Sequence, residues 1–174
     1  MISRDEHLAH KIKMLANHGM ENRYYHDSIG VNSRLDSMQA AILNVKLPHL
    51  DQWNQKRRAA ADKYDQQLSS ISNVLIPARV AWSEHVFHQY TIRVTDGRRD
   101  ELQKYLAEHK IPSMIYYPVP MHEQAAFNKL VRRRVPLLQT EKISKEVLSL
   151  PMHPDLGDDQ ITYICEHVAK FFTA

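Results

Sequence analysis

Asn32, Ser33 and Arg34 stand directly before an apolar, helix-periodic stretch that opens at Leu35. Polar side chains at the start of a helix meet the positive end of its dipole and its unpaired N–H groups, which suits them to bind a phosphate. The same residues serve equally well as a plain cap, with Asn32 or Ser33 accepting from the helix backbone. Physical chemistry alone leaves both readings open. A second group lies in Ile115-Tyr116-Tyr117-Pro118-Val119-Pro120-Met121-His122. Two tyrosines, two ring-constrained prolines and a histidine opening a helix would gather hydrogen-bonding groups at one strand end. An aromatic-rich turn packed on the sheet edge is the simpler reading of the same residues.

Other chemistry is poorly supported. The eleven histidines suggest metal binding, but no pair has a ligand spacing with supporting cysteines or carboxylates. His7 and His10 sit on a charged helix, and His85 and His88 fall on opposite faces of an expected strand. No metal site is expected. Cys165 lies on an apolar helical stripe and is expected to be buried and inert, and no serine occupies a glycine-flanked elbow. Arg132-Arg133-Arg134, near Lys129, could touch phosphates, but without interleaved aromatic residues a solvated loop is expected. Trp53, at helical spacing, is assigned to the core.

The elements that must position these residues can be read from periodicity. Ser3 and Glu6 form a capping-box pattern for a helix reaching about Asn17, with Leu8, Ile12 and Leu15 on its apolar face. That face finds little apolar material in the loop up to Gly30, so the chain reads as cut from a larger one. A second helix is expected from Leu35 to about Leu47, ended by Pro48. A third, from His49 to about Ile71, carries Leu50, Trp53, Ala60, Tyr64, Leu68 and Ile71 and connects two domains.

Beyond it, strands are expected at Val74–Ile76, Val86–Val94 and Ser113–Tyr116, with the first two antiparallel. Helices are expected at Arg99–Glu108, near His122–Leu130, near Glu141–Val147 and at Asp158–Phe172. Leu148-Ser149-Leu150 follows the third of these as a further extended segment. The last helix shows Ile161, Ile164, Cys165, Val168, Phe171 and Phe172 on one stripe. Together these make a small α+β domain with helices on one sheet face.

Composition bounds the rest. The chain has 174 residues, 43% hydrophobic and 25% charged, with four glycines and a formal charge of +3. Those values fit a globular domain, and the charge is too small and too interspersed to favour a nucleic-acid partner. No run approaches membrane-spanning length, the first residues are charged where a signal peptide is apolar, and a lone cysteine fits a reducing cytoplasm.

Several stretches, in order along nearly the whole chain, carry a resemblance. They are Asn17-His18-Gly19, Tyr25-His26, Gly30-Val31-Asn32-Ser33-Arg34-Leu35-Asp36 with Gln39-Ala40-Ala41, Lys46-Leu47, and Trp53. His85-Val86-Phe87-His88-Gln89-Tyr90, Ile115 to Pro118 with His122 and Gln124, and Leu148-Ser149-Leu150-Pro151 continue the series. They resemble the DegT/DnrJ/EryC1/StrS family of nucleotide-sugar aminotransferases.

The resemblance implies an α/β fold, namely the C-terminal part of the aspartate-aminotransferase-like, pyridoxal-phosphate-dependent transferase fold. Residues 1–60 would be the end of the large cofactor domain with its connecting helix, and residues 61–174 the small α+β domain. It further implies a homodimer with a shared active site. There Asn32 reaches the cofactor phosphate of the other subunit, Arg34 lies beside it, and Tyr117 and His122 approach the nucleotide sugar.

Transamination also needs a Schiff-base lysine and an aspartate at the pyridinium nitrogen, and the family places both upstream of the matched stretches. None of the eleven lysines has the family's serine-rich approach. The chain therefore reads as the C-terminal fragment of an enzyme that aminates a keto-sugar nucleotide, with glutamate the expected donor. It is expected to be inactive alone and to contain no catalytic residue. A non-catalytic interaction or dimerisation module derived from the family is the alternative.

Overall fold

A computed structural model describes residues 3–127 and 136–173. The chain forms two compact units, residues 1–49 and 50–174. The basic run Arg132–Arg134, with Lys129, lies outside the described residues.

The first unit holds α1 (Glu6–Ala16) and α2 (Ser37–Lys46), with a 3-10 turn at Leu47–His49 that contains Pro48. Both helices start two residues later than the sequence suggests. Asp5, not Ser3, caps α1 by accepting from Leu8 N at 3.0 Å, while Ser3 Oγ accepts from Asp5 N. The α2 helix opens at Ser37 behind Asp36, which accepts from Gln39 N at 2.8 Å as Gln39 Oε1 accepts from Asp36 N. A carboxylate cap outcompetes Asn32 and Ser33 because it satisfies an orphan N–H and also complements the dipole.

The second unit begins with α3 (Leu50–Leu68), whose buried residues Ala60, Ala61, Tyr64 and Leu68 recur every three to four positions. Leu50 is exposed and Trp53 only half-buried, so the core face of α3 is confined to its C-terminal half and the core assignment of Trp53 is corrected. There follow β1 (Val74–Leu75), β2 (Tyr90–Val94), α4 (Arg99–Glu108), α5 (Leu138–Glu146), β3 (Val147–Leu150) and α6 (Asp158–Thr173).

The sheet is antiparallel in the order β1-β2-β3. Its register sets Tyr90 opposite Leu150 and Ile92 opposite Leu148. By the two-residue period these four share one face. They are buried with Val94, Leu102, Leu106, Tyr64, Leu68 and the α6 stripe Ile161, Ile164, Cys165, Val168 and Phe171 in one core. Phe172, expected on that stripe, is partly buried against it. Tyr64 and Tyr90 stack at 4.7 Å between centroids, and their hydroxyls donate to Pro151 O and Asp65 Oδ1.

Two expected strands are shorter than their patterns. Val86–Gln89 does not join β2, because Phe87 takes a φ of 47°, which turns the chain out of the extended region. Phe87 is instead buried beneath the Arg79 guanidinium. His85 is therefore not on a strand, and its Nδ1 accepts from Phe87 N at 3.0 Å. In the Ser113–Tyr116 stretch only Met114 pairs, exchanging two backbone bonds of 3.0 and 2.8 Å with Ser149. Pro112 and Pro118 flank that bridge and cannot donate to a ladder. The helix expected near His122–Leu130 is two 3-10 turns, Met121–Glu123 and Ala125–Phe127, and its remainder lies outside the described residues.

Candidate functional site

In the first unit a backbone crossing positions Asn32 and Arg34. Gly19 has a φ of +74°, and a Cβ there would lie 1.8 Å from Ser28 O; one on Gly30 would lie 2.2 Å from Gly19 N. Glycine is required at both places because the chain passes over itself with no room for a side chain. The crossing lays residues 31–33 along the end of α1. Val31 N donates to Leu15 O at 2.9 Å, His18 N to Val31 O at 3.0 Å, and Ser33 N to Ala16 O at 2.9 Å. Asn17 and Asn32 face each other as an antiparallel bridge.

On this support Arg34 Nε donates to Asn32 Oδ1 at 3.3 Å. Arg34 also lines an open cavity with Ser33, Asn17, Lys13, His10 and Glu21. The bond uses the Asn32 carbonyl and the Arg34 Nε–H, so the Asn32 amide NH2 and the terminal NH groups of Arg34 are not spent on it. The cavity brings the Arg34 guanidinium and the Lys13 ammonium, donors of the kind that bind a phosphate, beside Glu21 and His10, which lie 3.4 Å from each other. The start of α2 is capped by Asp36 and not by Asn32 or Ser33.

In the second unit Tyr117 is 75% exposed, and its ring neighbour is Tyr116 at 5.9 Å. His122 sits in the Met121–Glu123 turn with its side chain only 11% exposed. Its Nε2 lies 3.3 Å from Glu141 Oε1 and 3.8 Å from Glu123 Oε1. Tyr117 and His122 share no hydrogen bond or ring contact. The two pairs of expected site residues thus differ: Asn32 and Arg34 touch, whereas Tyr117 and His122 share only a short segment.

Sequence spacing missed Glu141, which stands on the first turn of α5 and reaches His122 only through the fold. The His122, Glu123 and Glu141 ligand atoms lie within 4.8 Å of one another, a grouping no linear motif announces. The fold also brings His109 and His167 together, with ring centroids 4.3 Å apart. The Tyr105 hydroxyl lies 3.2 Å from His167 Nδ1. Burial first, then the neighbouring His109 and Lys170, lowers the pKa of His167 from the usual imidazole value. Cys165 is buried as expected, and burial pushes its thiol up to about 12, which removes it as a nucleophile at neutral pH. None of the lysines among the described residues is buried. No described helix is long and apolar enough to cross a membrane.

Comparison with known proteins gives this geometry its context. The model of the DegT/DnrJ/EryC1/StrS aminotransferase family matches residues 1–169. A protein of Geobacillus stearothermophilus named "Pleiotropic regulatory protein" is 46% identical over 99% of this chain and 46% of its own length. The UDP-N-acetyl-3-dehydro-alpha-D-glucosamine 3-aminotransferase of Acidithiobacillus ferrooxidans is 40% identical, over 98% of this chain and 45% of its own. Among solved structures, S. venezuelae DesV in complex with a ketimine intermediate superposes with a TM-score of 0.91 at 35% identity. The match covers 99% of this chain and 46% of DesV. NtdA of Bacillus subtilis, solved with bound cofactor PMP, superposes at 0.87 with 25% identity, covering 99% of this chain and 41% of NtdA. The chain spans about half the length of the curated relatives it matches. Its fold is that of the C-terminal part of the PLP-dependent aminotransferases, and the chain belongs to the DegT/DnrJ/EryC1/StrS aminotransferase family.

Proposed function

We propose that this chain is the C-terminal part of a pyridoxal-phosphate-dependent enzyme that transfers an amino group, from glutamate, to a keto-sugar nucleotide in the cytoplasm. The observation that carries this reading is the hydrogen-bonded Asn32–Arg34 pair, held by a glycine crossing within a family match that runs through residue 169. Asn32 and Arg34 hold the cofactor phosphate of the other subunit in a homodimer. Tyr117 and His122 contact the nucleotide sugar. Pyridoxal phosphate, when bound, supplies the electron sink for the amino transfer. In the whole protein, residues 1–60 close the large domain and residues 61–174 form the small one.

The lysine and aspartate of the reaction belong to the other half of the relatives' length. Desolvation is one way to activate a cofactor lysine, and none of the described lysines is buried. The purified chain, mixed with pyridoxal phosphate and reduced with borohydride, should therefore show no site-selective lysine label and no transamination. A single labelled lysine with glutamate-dependent turnover would overturn the assignment. Adding a polypeptide that supplies the family's other half should restore turnover.

A second reading has its own support. Leu35, Met38, Ile42 and Val45 on and beside α2 are 59–77% exposed, as a non-catalytic interaction or dimerisation module would require. Under that reading the chain self-associates in sedimentation, and the family's other half adds no turnover.

A further inference from the structure

His122 and Glu141 come together from separate segments. His122 is presented by the short turn after Pro120, and Glu141 by the first turn of α5, where a carboxylate is favoured by the helix dipole. Their contact is 3.3 Å, and both side chains are largely withdrawn from water, with 11% and 23% exposure. Glu123 also faces Nε2, but at 3.8 Å and with 44% exposure, so it is the looser partner. Both carboxylates face the same ring nitrogen. A carboxylate is an acceptor, so Nε2 must carry the proton, and the neutral ring then has Nδ1 as its acceptor. Neither His122 nor Tyr117 alone explains why this imidazole should be held one way round.

We propose that Glu141 is a positioning residue: it holds the His122 ring with Nε2–H directed at its carboxylate, so that Nδ1 is the atom offered to a hydroxyl of the sugar nucleotide. The proposal rests on the reading of His122 as a substrate contact given above. A ring fixed in this way recognises a donor and leaves an unpaired acceptor against an analogue that lacks the hydroxyl, a mismatch that discriminates strongly in a water-poor site. The buried side chain and the second-segment carboxylate repeat the logic by which outer residues fix imidazole tautomers around reactive centres.

The test has two arms. In the labelled full chain at pH above the imidazole range, the His122 Nε2–H proton should be visible by NMR as a slowly exchanging resonance. It should persist in Glu141→Gln, whose amide oxygen still accepts, and vanish into solvent exchange in Glu141→Ala, while the His167 ring signals report that the unit remains folded. A Glu141→Ala chain that keeps the resonance overturns the proposal. So does Zn2+ at micromolar concentration shifting His122 and both glutamates together, which would make the cluster a cation site.

In the complete two-part enzyme, Glu141→Ala should raise KM for the sugar nucleotide by about tenfold, the cost of one hydrogen bond. Its kcat should change little, and Glu141→Gln should stay near the parent. An unchanged KM overturns the proposal. If the unmodified complete enzyme transfers no amino group, the functional reading fails by itself, and the ring-proton arm still decides the role of Glu141.

Discussion

The two units of this chain hold their candidate residues by different means. Residues 50–174 pack α3, α4, α6 and the sheet around one continuous core, whereas among the described residues of 1–49 only Gly19 is buried. Helices as short as α1 and α2, of 11 and 10 residues, gain little from propensity alone and ordinarily depend on packing. The first unit relies instead on side-chain caps and on backbone bonds that run from residues 31–33 to the end of α1. The Asn32–Arg34 contact is thus shaped by main-chain geometry, while the His122–Glu141 contact depends on tertiary packing of α5 beside the sheet.

The contrast is sharpest in the response to truncation. Leu148→Ala, at a position with no exposure, should cost about 3 kcal/mol in denaturant unfolding through the cavity it leaves. Ile42→Ala, on the exposed face of α2, should stay within about 0.5 kcal/mol. Equal costs would break the comparison, because α2 would then be packed in solution.

Next in size, Gly30→Ala would place a Cβ 2.2 Å from Gly19 N and so should force the crossing apart. The expected result is loss of hydrogen-exchange protection at Val31 and Ser33, with the Leu148 amide unchanged. Asp36→Ala should fray the start of α2 by about 1 kcal/mol, visible as faster exchange at the Gln39 amide.

The smallest effect concerns pH and belongs to the second unit alone. Because folding lowers the His167 pKa from 6.5, the unfolded chain binds the extra proton first. The stabilising contribution is complete above pH 6.5 and is lost as pH falls through the window down to the folded pKa. His167→Gln should flatten that part of the stability curve in urea titrations. An unchanged slope would show that His167 does not control it.

Much of the second unit was legible because its pattern and its packing agree. The range of α4 matches its reading, and every residue of the α6 stripe is buried or packed on the core. Alternation failed where one residue changed the path. Val86, His88, Tyr90 and Ile92 alternate as a strand, but Phe87 at positive φ converts the first half into an irregular segment. Boundaries at helix starts moved for a similar reason, since Asp5 and Asp36 compete with nearby serines and asparagines for the same backbone donors. Residue types could name Asn32, Arg34, Tyr117 and His122 as candidates, but not their geometry. Only the first pair touches, and Glu141 carried no signal at all.

The sequence by itself determined the family, most of the helices, the burial of Cys165 and the identity of the polar segments, because these depend on periodicity, caps and local motifs. Tertiary structure alone decided which of those residues meet. The crossing of Gly30 over Gly19, the His109–His167 pairing and the Glu141 carboxylate on His122 join residues from separate segments, and such contacts follow from the path of the folded chain, which no local spacing encodes.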